Sequence, residues 1–185
     1  AIGPDSETPP QVFPDKILVP FPVESALSGV ARAVSPTERV WYRRTFTLPV
    51  APEGSRWLLH FGAVDWEAEV FLNERSLGVH RGGYDPFSFQ LEGVLGTGAG
   101  AEQVLVVAVR DPTNEGDQPR GKQVLDPRGI WYTAVTGIWQ TVWLEPVPAV
   151  ALGRPRLTPD LTRGLIRLEQ PIDGNPAGLG LRATL

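Results

Sequence analysis

Val40-Trp41-Tyr42-Arg43-Arg44-Thr45-Phe46-Thr47-Leu48 decides the fold class. Val40, Tyr42, Arg44, Phe46 and Leu48 point to one side and Trp41, Arg43, Thr45 and Thr47 to the other, the period of two that a strand uses. The same alternation returns on both sides of a turn at Pro49 to Ser55: Trp57, Leu59 and Phe61 share a face within Arg56 to Phe61. Ala68, Val70 and Leu72 alternate with Glu69 and Phe71. Asn73-Glu74-Arg75 then links this segment to Ser76 to His80 as a hairpin, with Asn73 suited to a left-handed backbone. Past the bend Gly82-Gly83-Tyr84-Asp85-Pro86, Phe87, Phe89 and Leu91 face a core. Val104 to Val109 is apolar on both faces, as a central strand covered on two sides would be. Ile138 to Leu144 predicts a last strand that puts Trp139 and Trp143 on one face. No helix-period stretch of ten or more residues interrupts this series. About seven short strands with frequent turns predict an antiparallel sandwich or jelly roll.

Composition agrees with many turns. The 185 residues include 20 Gly and 19 Pro, spread between short apolar runs, and 42% are hydrophobic, enough to bury a core. A net charge of −4 draws neither nucleic acid nor an anionic membrane surface, so neither is expected as a partner. No stretch approaches the roughly 20 apolar residues that span a bilayer. The N-terminus lacks the basic and apolar regions of a signal peptide. Cysteine is absent, which removes disulfides, thiolate metal sites and a Cys nucleophile and leaves the compartment open. Methionine is absent as well, even at position 1, so the expectation is a processed chain or a fragment.

Residues 1–15 carry Pro4, Pro9, Pro10 and Pro14 and few apolar side chains, and read as an extended, weakly ordered lead-in. Ile17 to Val23 is apolar but broken by Pro20 and Pro22, which permits an edge strand or a buried extended crossing and forbids a helix. Gly93 to Gly100 is a glycine-rich loop. Asp111 to Gly129 is the longest loop, and loops of that length are often functional. Pro146-Val147-Pro148 marks a boundary between a module over 16–148 and a second over 149–185. The second module has candidate strands at Leu165 to Leu168 and Leu179 to Leu185, and is too short to bury a core alone.

The chemistry-bearing residues are sparse. Asp65, Glu67 and Glu69 fall in one stretch, and Asp111, Glu115, Asp117 and Asp126 in the long loop. Glycoside cleavage needs two carboxylates across one bond. Asp and Glu more commonly serve turns and solvated strand faces, so none is assigned a catalytic role. His60 and His80 lack zinc-ligand spacing and read as structural. Loop oxygens at Asp111, Asn114, Glu115 and Asp117 lack the calcium-loop pattern, so no metal is assigned, and no cofactor motif is present. Aromatic residues are more informative: Trp131, Tyr132, Trp139 and Trp143 follow the long loop, where rings stack on a sugar face while neighbouring polar side chains bind its hydroxyls. Trp139 and Trp143 read as packing residues, and Trp131 and Tyr132 as open to either role.

Four ordered motifs then carry a resemblance. They are Ile17-Leu18-Val19-Pro20-Phe21-Pro22-Val23-Glu24-Ser25-Ala26-Leu27-Ser28-Gly29, Trp41-Tyr42-Arg43-Arg44, His80-Arg81-Gly82-Gly83-Tyr84-Asp85-Pro86-Phe87, and Gly129-Ile130-Trp131-Tyr132 with Thr136-Gly137-Ile138-Trp139-Gln140. From about Lys16 to Pro148 the chain resembles the N-terminal sugar-binding domain of glycoside hydrolase family 2, which includes β-galactosidases and β-glucuronidases. The resemblance implies an all-β chain: a jelly-roll β-sandwich of the galactose-binding type, followed by the start of an immunoglobulin-like β-sandwich. It also implies a downstream (β/α)₈ barrel of the parent chain as partner, holding both catalytic glutamates beyond Leu185. Carbohydrate would be met by Glu24 and Ser25 on one loop and by Asp126, Arg128, Trp131 and Tyr132 on the segment ending the long loop. Where those enzymes carry an Asp before the Gly-Ile pair, Trp131 stands here, so stacking would take the place of a hydrogen bond. The Leu-Asn-Gly strand usual upstream is lacking, which would leave the first strand of the roll missing. The alternatives are a free-standing carbohydrate-binding module, and a structural domain whose tryptophans only pack.

Overall fold

The computed structural model describes residues 1–96 and 100–184, so part of the Gly93–Gly100 loop and Leu185 lie outside the described residues. The strands are β1 (Ile2–Pro4), β2 (Glu38–Thr47), β3 (Arg56–Phe61), β4 (Val64–Asp65), β5 (Glu67–Leu72), β6 (Arg75–Arg81), β7 (Phe87–Gln90) and β8 (Glu102–Arg110). They continue with β9 (Gln123–Val124), β10 (Tyr132–Thr133), β11 (Gly137–Ile138), β12 (Val142–Val147), β13 (Ala151–Leu152), β14 (Arg156–Asp160), β15 (Leu165–Glu169) and β16 (Ile172–Asp173). The only helical element among the described residues is a 3₁₀ turn at Ala26–Ser28, so the chain is all-β.

The contacts divide the chain into two units, residues 1–49 with 58–145, and residues 50–57 with 146–185. The first unit holds a jelly-roll β-sandwich. Its five-stranded sheet runs β1-β2-β8-β5-β6, every pair antiparallel, and a smaller sheet runs β12-β3-β7. Alternation fixes which face is buried. Tyr42, Val107 and Val70 lie opposite one another across β2, β8 and β5, and all three are buried, while Leu59 and Phe61 are buried from β3. The two sheets meet face to face: the His80 ring of β6 stacks on Phe87 of β7 at 4.0 Å between centroids. A cavity of about 770 Å³ opens between them, lined by Ala1, Tyr42, Arg44, Phe61, Leu105 and Val107 among others.

Several details depart from what the sequence suggests. Instead of a weakly ordered lead-in, Ile2–Pro4 form the edge strand β1, and Asp5 bridges Arg39 at 2.7 Å and Arg110 at 2.9 Å. The ladder already includes the first residue: the Ala1 ammonium donates to the Trp41 carbonyl and the Trp41 N–H to the Ala1 carbonyl, both at 2.8 Å. Leu72-Asn73-Glu74 closes the β5–β6 hairpin with Asn73 at φ 50° and Glu74 at φ 66°, the paired left-handed conformation that Asn-Gly serves, with Glu in the glycine's place. The strand expected over Ile138 to Leu144 is two strands, β11 and β12. Gln140 and Thr141 break it, and the Thr141 carbonyl is taken by the Gly62 N–H at 2.9 Å.

The second unit contains two antiparallel pairs, β13 with β16 and β14 with β15. Arg56 pairs with Asp173 at 2.7 Å. Leu157, Leu165, Ile166 and Leu168 are exposed on the β14–β15 hairpin, so this unit buries little of its own apolar surface. Residues 179–184 carry no strand, which corrects the candidate strand there.

Candidate functional site

The residues singled out for sugar contact fall on two segments. Glu24 and Ser25 lead into the 3₁₀ turn, and Ser25 is its N-cap: its Oγ accepts from the Leu27 N–H at 3.2 Å. Glu24 Oε2 accepts from the Thr136 N–H at 2.9 Å, which joins this segment to the end of the long loop. Burial holds the Glu24 carboxyl above the usual range, against the downward pull of that hydrogen bond. Ser25 Oγ and Glu24 Oε2 are therefore committed to holding backbone.

The other four sit together. The loop is closed by a short parallel pairing in which Gln123 lies opposite Tyr132 and Val124 opposite Thr133, and the Tyr132 N–H donates to the Lys122 carbonyl at 2.8 Å. Trp131 is 43% exposed and Tyr132 64% exposed. The Lys122 ammonium lies over the Tyr132 ring at 5.7 Å from its centroid, and Arg128 pairs with Asp126 at 2.9 Å in the open. The result is an exposed patch of two rings flanked by a cation and an ion pair, a chemistry that suits a polyhydroxylated ligand with one apolar face.

Beneath that patch lie side chains to which the sequence assigned no role. Asp65, placed by its neighbours Glu67 and Glu69 on a solvated strand face, is instead 3% exposed. Its Oδ2 accepts from Gln123 Nε2 at 2.8 Å. Burial pushes its carboxyl up to about 7, the Gln123 hydrogen bond opposing and the charges of Asp111 and Glu24 adding to the rise. Asp111 is also 3% exposed; its Oδ1 accepts from the Thr113 N–H at 2.8 Å, and burial raises it against its bonds from Thr113 and Gln118. Asn114 is likewise spent on the loop, its Oδ1 accepting from the Leu125 N–H at 2.9 Å. The buried Asp65 and Asp111 and the half-buried Glu24, from distant points in the sequence, thus converge on one loop.

The remaining candidates have structural partners. His60 bonds Ser88 at 2.6 Å, pairs with Glu145 at 2.9 Å and stacks on Trp143 at 4.7 Å. Trp139 donates from Nε1 to the Gly83 carbonyl at 2.8 Å and meets Tyr84 edge-on, while Trp143 is 44% exposed, so the two tryptophans do not share a strand face. Tyr42 lies under the Gly137 backbone, with its hydroxyl accepting from the Ile138 N–H at 3.3 Å.

Residues 14–148 match the family model described as the sugar binding domain of the glycosyl hydrolases of family 2. The chain belongs to glycoside hydrolase family 2. A family 2 β-galactosidase of Bacteroides ovatus is 32% identical over 126 residues, covering 68% of this chain and 13% of the relative. A β-galactosidase of Thermoanaerobacter pseudethanolicus is 31% identical over 105 residues, covering 57% of this chain and 13% of the relative. The chain therefore spans about an eighth of the length of these curated relatives. The β-glucuronidase of Faecalibacterium prausnitzii superposes with a TM-score of 0.68 over 94% of this chain and 34% of that one; at 23% identity this likeness is one of fold. Within family 2 the matched region is the sugar-binding domain, and it takes in most of the jelly-roll β-sandwich and its long loop.

Proposed function

We propose that this chain is the non-catalytic N-terminal sugar-binding part of a family 2 glycosidase, lending one wall of the sugar pocket to a catalytic barrel elsewhere in the parent chain. The exposed Trp131–Tyr132 pair on an anchored loop carries this reading, because stacking surfaces need rings that are both open and fixed. Trp131 and Tyr132 stack on the sugar ring, Asp126 and Arg128 meet its hydroxyls, and Glu24 and Ser25 hold the adjoining segment. Residues 149–185 begin an immunoglobulin-like domain, in keeping with the exposed apolar side chains of the β14–β15 hairpin. The downstream barrel performs O-glycosyl hydrolysis, and this portion turns over nothing alone.

Two measurements test it on the 185-residue chain. Incubation with aryl β-galactoside and aryl β-glucuronide should release no aglycone; dose-dependent release would overturn the non-catalytic assignment. Titration with galactose and glucuronate should give binding weaker than about 1 mM, since the pocket is completed elsewhere. Tighter binding by the isolated chain would favour a free-standing carbohydrate-binding module.

A further inference from the structure

The loop that carries Trp131 and Tyr132 is tied to the sheet by a side-chain pair, Asp65 and Gln123. We propose that Asp65 is a positioning residue for the sugar-facing loop and acts through Gln123; this deepens, and rests on, the function proposed above. Gln123 lies opposite Tyr132 in the β9–β10 pair. Its Oε1 accepts from the Val135 N–H at 2.6 Å. A backbone N–H can only donate, so the amide is fixed with Nε2 turned the other way, towards an acceptor. Asp65 Oδ2 is that acceptor at 2.8 Å. One amide therefore ties the strand before the loop tip, the backbone after it, and the rigid sheet below.

Asp65 is itself braced. Its backbone pairs with Gly137 across β4 and β11, and Gly83 backs its carboxyl so closely that a Cβ there would lie on Oδ1. Gly83 is fixed in turn by the Trp139 indole on its carbonyl. The ionisable groups around Asp65 are Glu24 and Asp111, which repel a charge on it, with His80 and Asp85 against the neighbouring Gly82. Glu24 and Asp111 hold the same segment at its far end and its start, through the Thr136 and Thr113 amides. The three acids act as fixed acceptors for one loop, and Asp65 alone reaches the strand pair beneath the rings.

The test is limited trypsin digestion of the full 185-residue chain, reading by mass spectrometry the cuts after the exposed Lys122 and Arg128, with the exposed Arg163 as internal reference. Asp65→Ala and Gln123→Ala should be cut at both loop bonds roughly three- to tenfold faster, the change that one lost hydrogen bond makes in a local opening equilibrium. Asp65→Asn keeps a carbonyl acceptor for Gln123 and should be cut within about twofold of the parent rate. Parent-rate cutting in the Gln123→Ala chain, or equal acceleration in the Asp65→Asn chain, would overturn the positioning role; Gln123→Ala also carries the test if Asp65→Ala fails to fold. Sugar affinity of the full-length parent glycosidase separates the two ideas. Faster loop cutting in the Asp65→Ala and Gln123→Ala chains, with the parent's sugar affinity unmoved by Trp131→Ala, leaves the positioning intact and removes the sugar reading.

Discussion

Two neighbouring residues with the same backbone should respond to glycine in opposite directions. Asn73 and Glu74 both have positive φ, 50° and 66°, at the tip of the β5–β6 hairpin. A non-glycine side chain there costs roughly 1 to 2 kcal/mol, less for Asn, and glycine in the unfolded chain returns about 0.5 to 1 kcal/mol of that. Glu74 is exposed, so Glu74→Gly removes strain and should raise stability by roughly 0.5 to 1 kcal/mol. Asn73 is different because its side chain is occupied. Nδ2 donates to the Val94 carbonyl at 2.9 Å and to Gln103 Oε1 at 2.7 Å, and Oδ1 accepts from the Val104 N–H at 2.9 Å. Gln103 is 1% exposed, so Asn73→Gly strands buried polar atoms and should cost roughly 2 to 3 kcal/mol. Thermal melting followed by near-ultraviolet circular dichroism reads both, at about 2 to 4 °C per kcal/mol for a chain of this size. A lower midpoint for Glu74→Gly, or an unchanged one for Asn73→Gly, would refute the reasoning.

Gly137→Ala should be far more damaging than an ordinary surface change, by roughly 2 to 4 kcal/mol in urea unfolding: φ is 98° and a Cβ would lie on the Tyr42 hydroxyl. Asp65 makes stability depend on pH in a defined direction. Unfolded, it loses its proton near 3.8, and folded near 7, so the folded state binds the extra proton in between and stability falls as pH rises through that window, then levels off. The upper bound is roughly 4 kcal/mol. Urea midpoints at pH 5 and pH 8 should differ less for Asp65→Asn than for the parent chain, with a shallower slope left by Glu24 and Asp111, which are raised in the same sense. An unchanged slope would count against it. Trp131→Ala, introduced into the full-length glycosidase proposed above, should weaken sugar affinity by roughly 1 to 3 kcal/mol while moving the melting midpoint by no more than about 1 °C. Lower stability with unchanged affinity would make Trp131 a packing residue.

Strands were legible where buried and open residues alternate over a long run. Arg56–Phe61 and Glu67–Leu72 bury alternate residues, and period two announces them. Val104–Val109, apolar throughout, was legible as a central strand because β2 and β5 pair with it on either side. The break at Gln140–Thr141 was not, since alternation runs through it and only the distant Gly62 N–H fixes the interruption. Burial of Asp65 was hidden for a similar reason: it is set by Gln123, 58 positions away, and Glu24 meets Thr136 across 112 positions. Local pattern carries no record of such pairings. Trp131 and Tyr132 were legible as candidates from residue type and from their place after the long loop; their exposure required the fold.

The first residue has a practical bearing. Its backbone nitrogen and carbonyl both bond Trp41 in the β1–β2 ladder. With Ile2 opposite Val40, any residue joined ahead of Ala1 would stand opposite Tyr42, and those before it opposite Arg43 and Arg44, along the mouth of the 770 Å³ cavity. Whatever segment stands ahead of Ala1 would therefore be read by the sheet as further rungs. Its sequence, polar or apolar by turns, would help decide how firmly the sandwich closes.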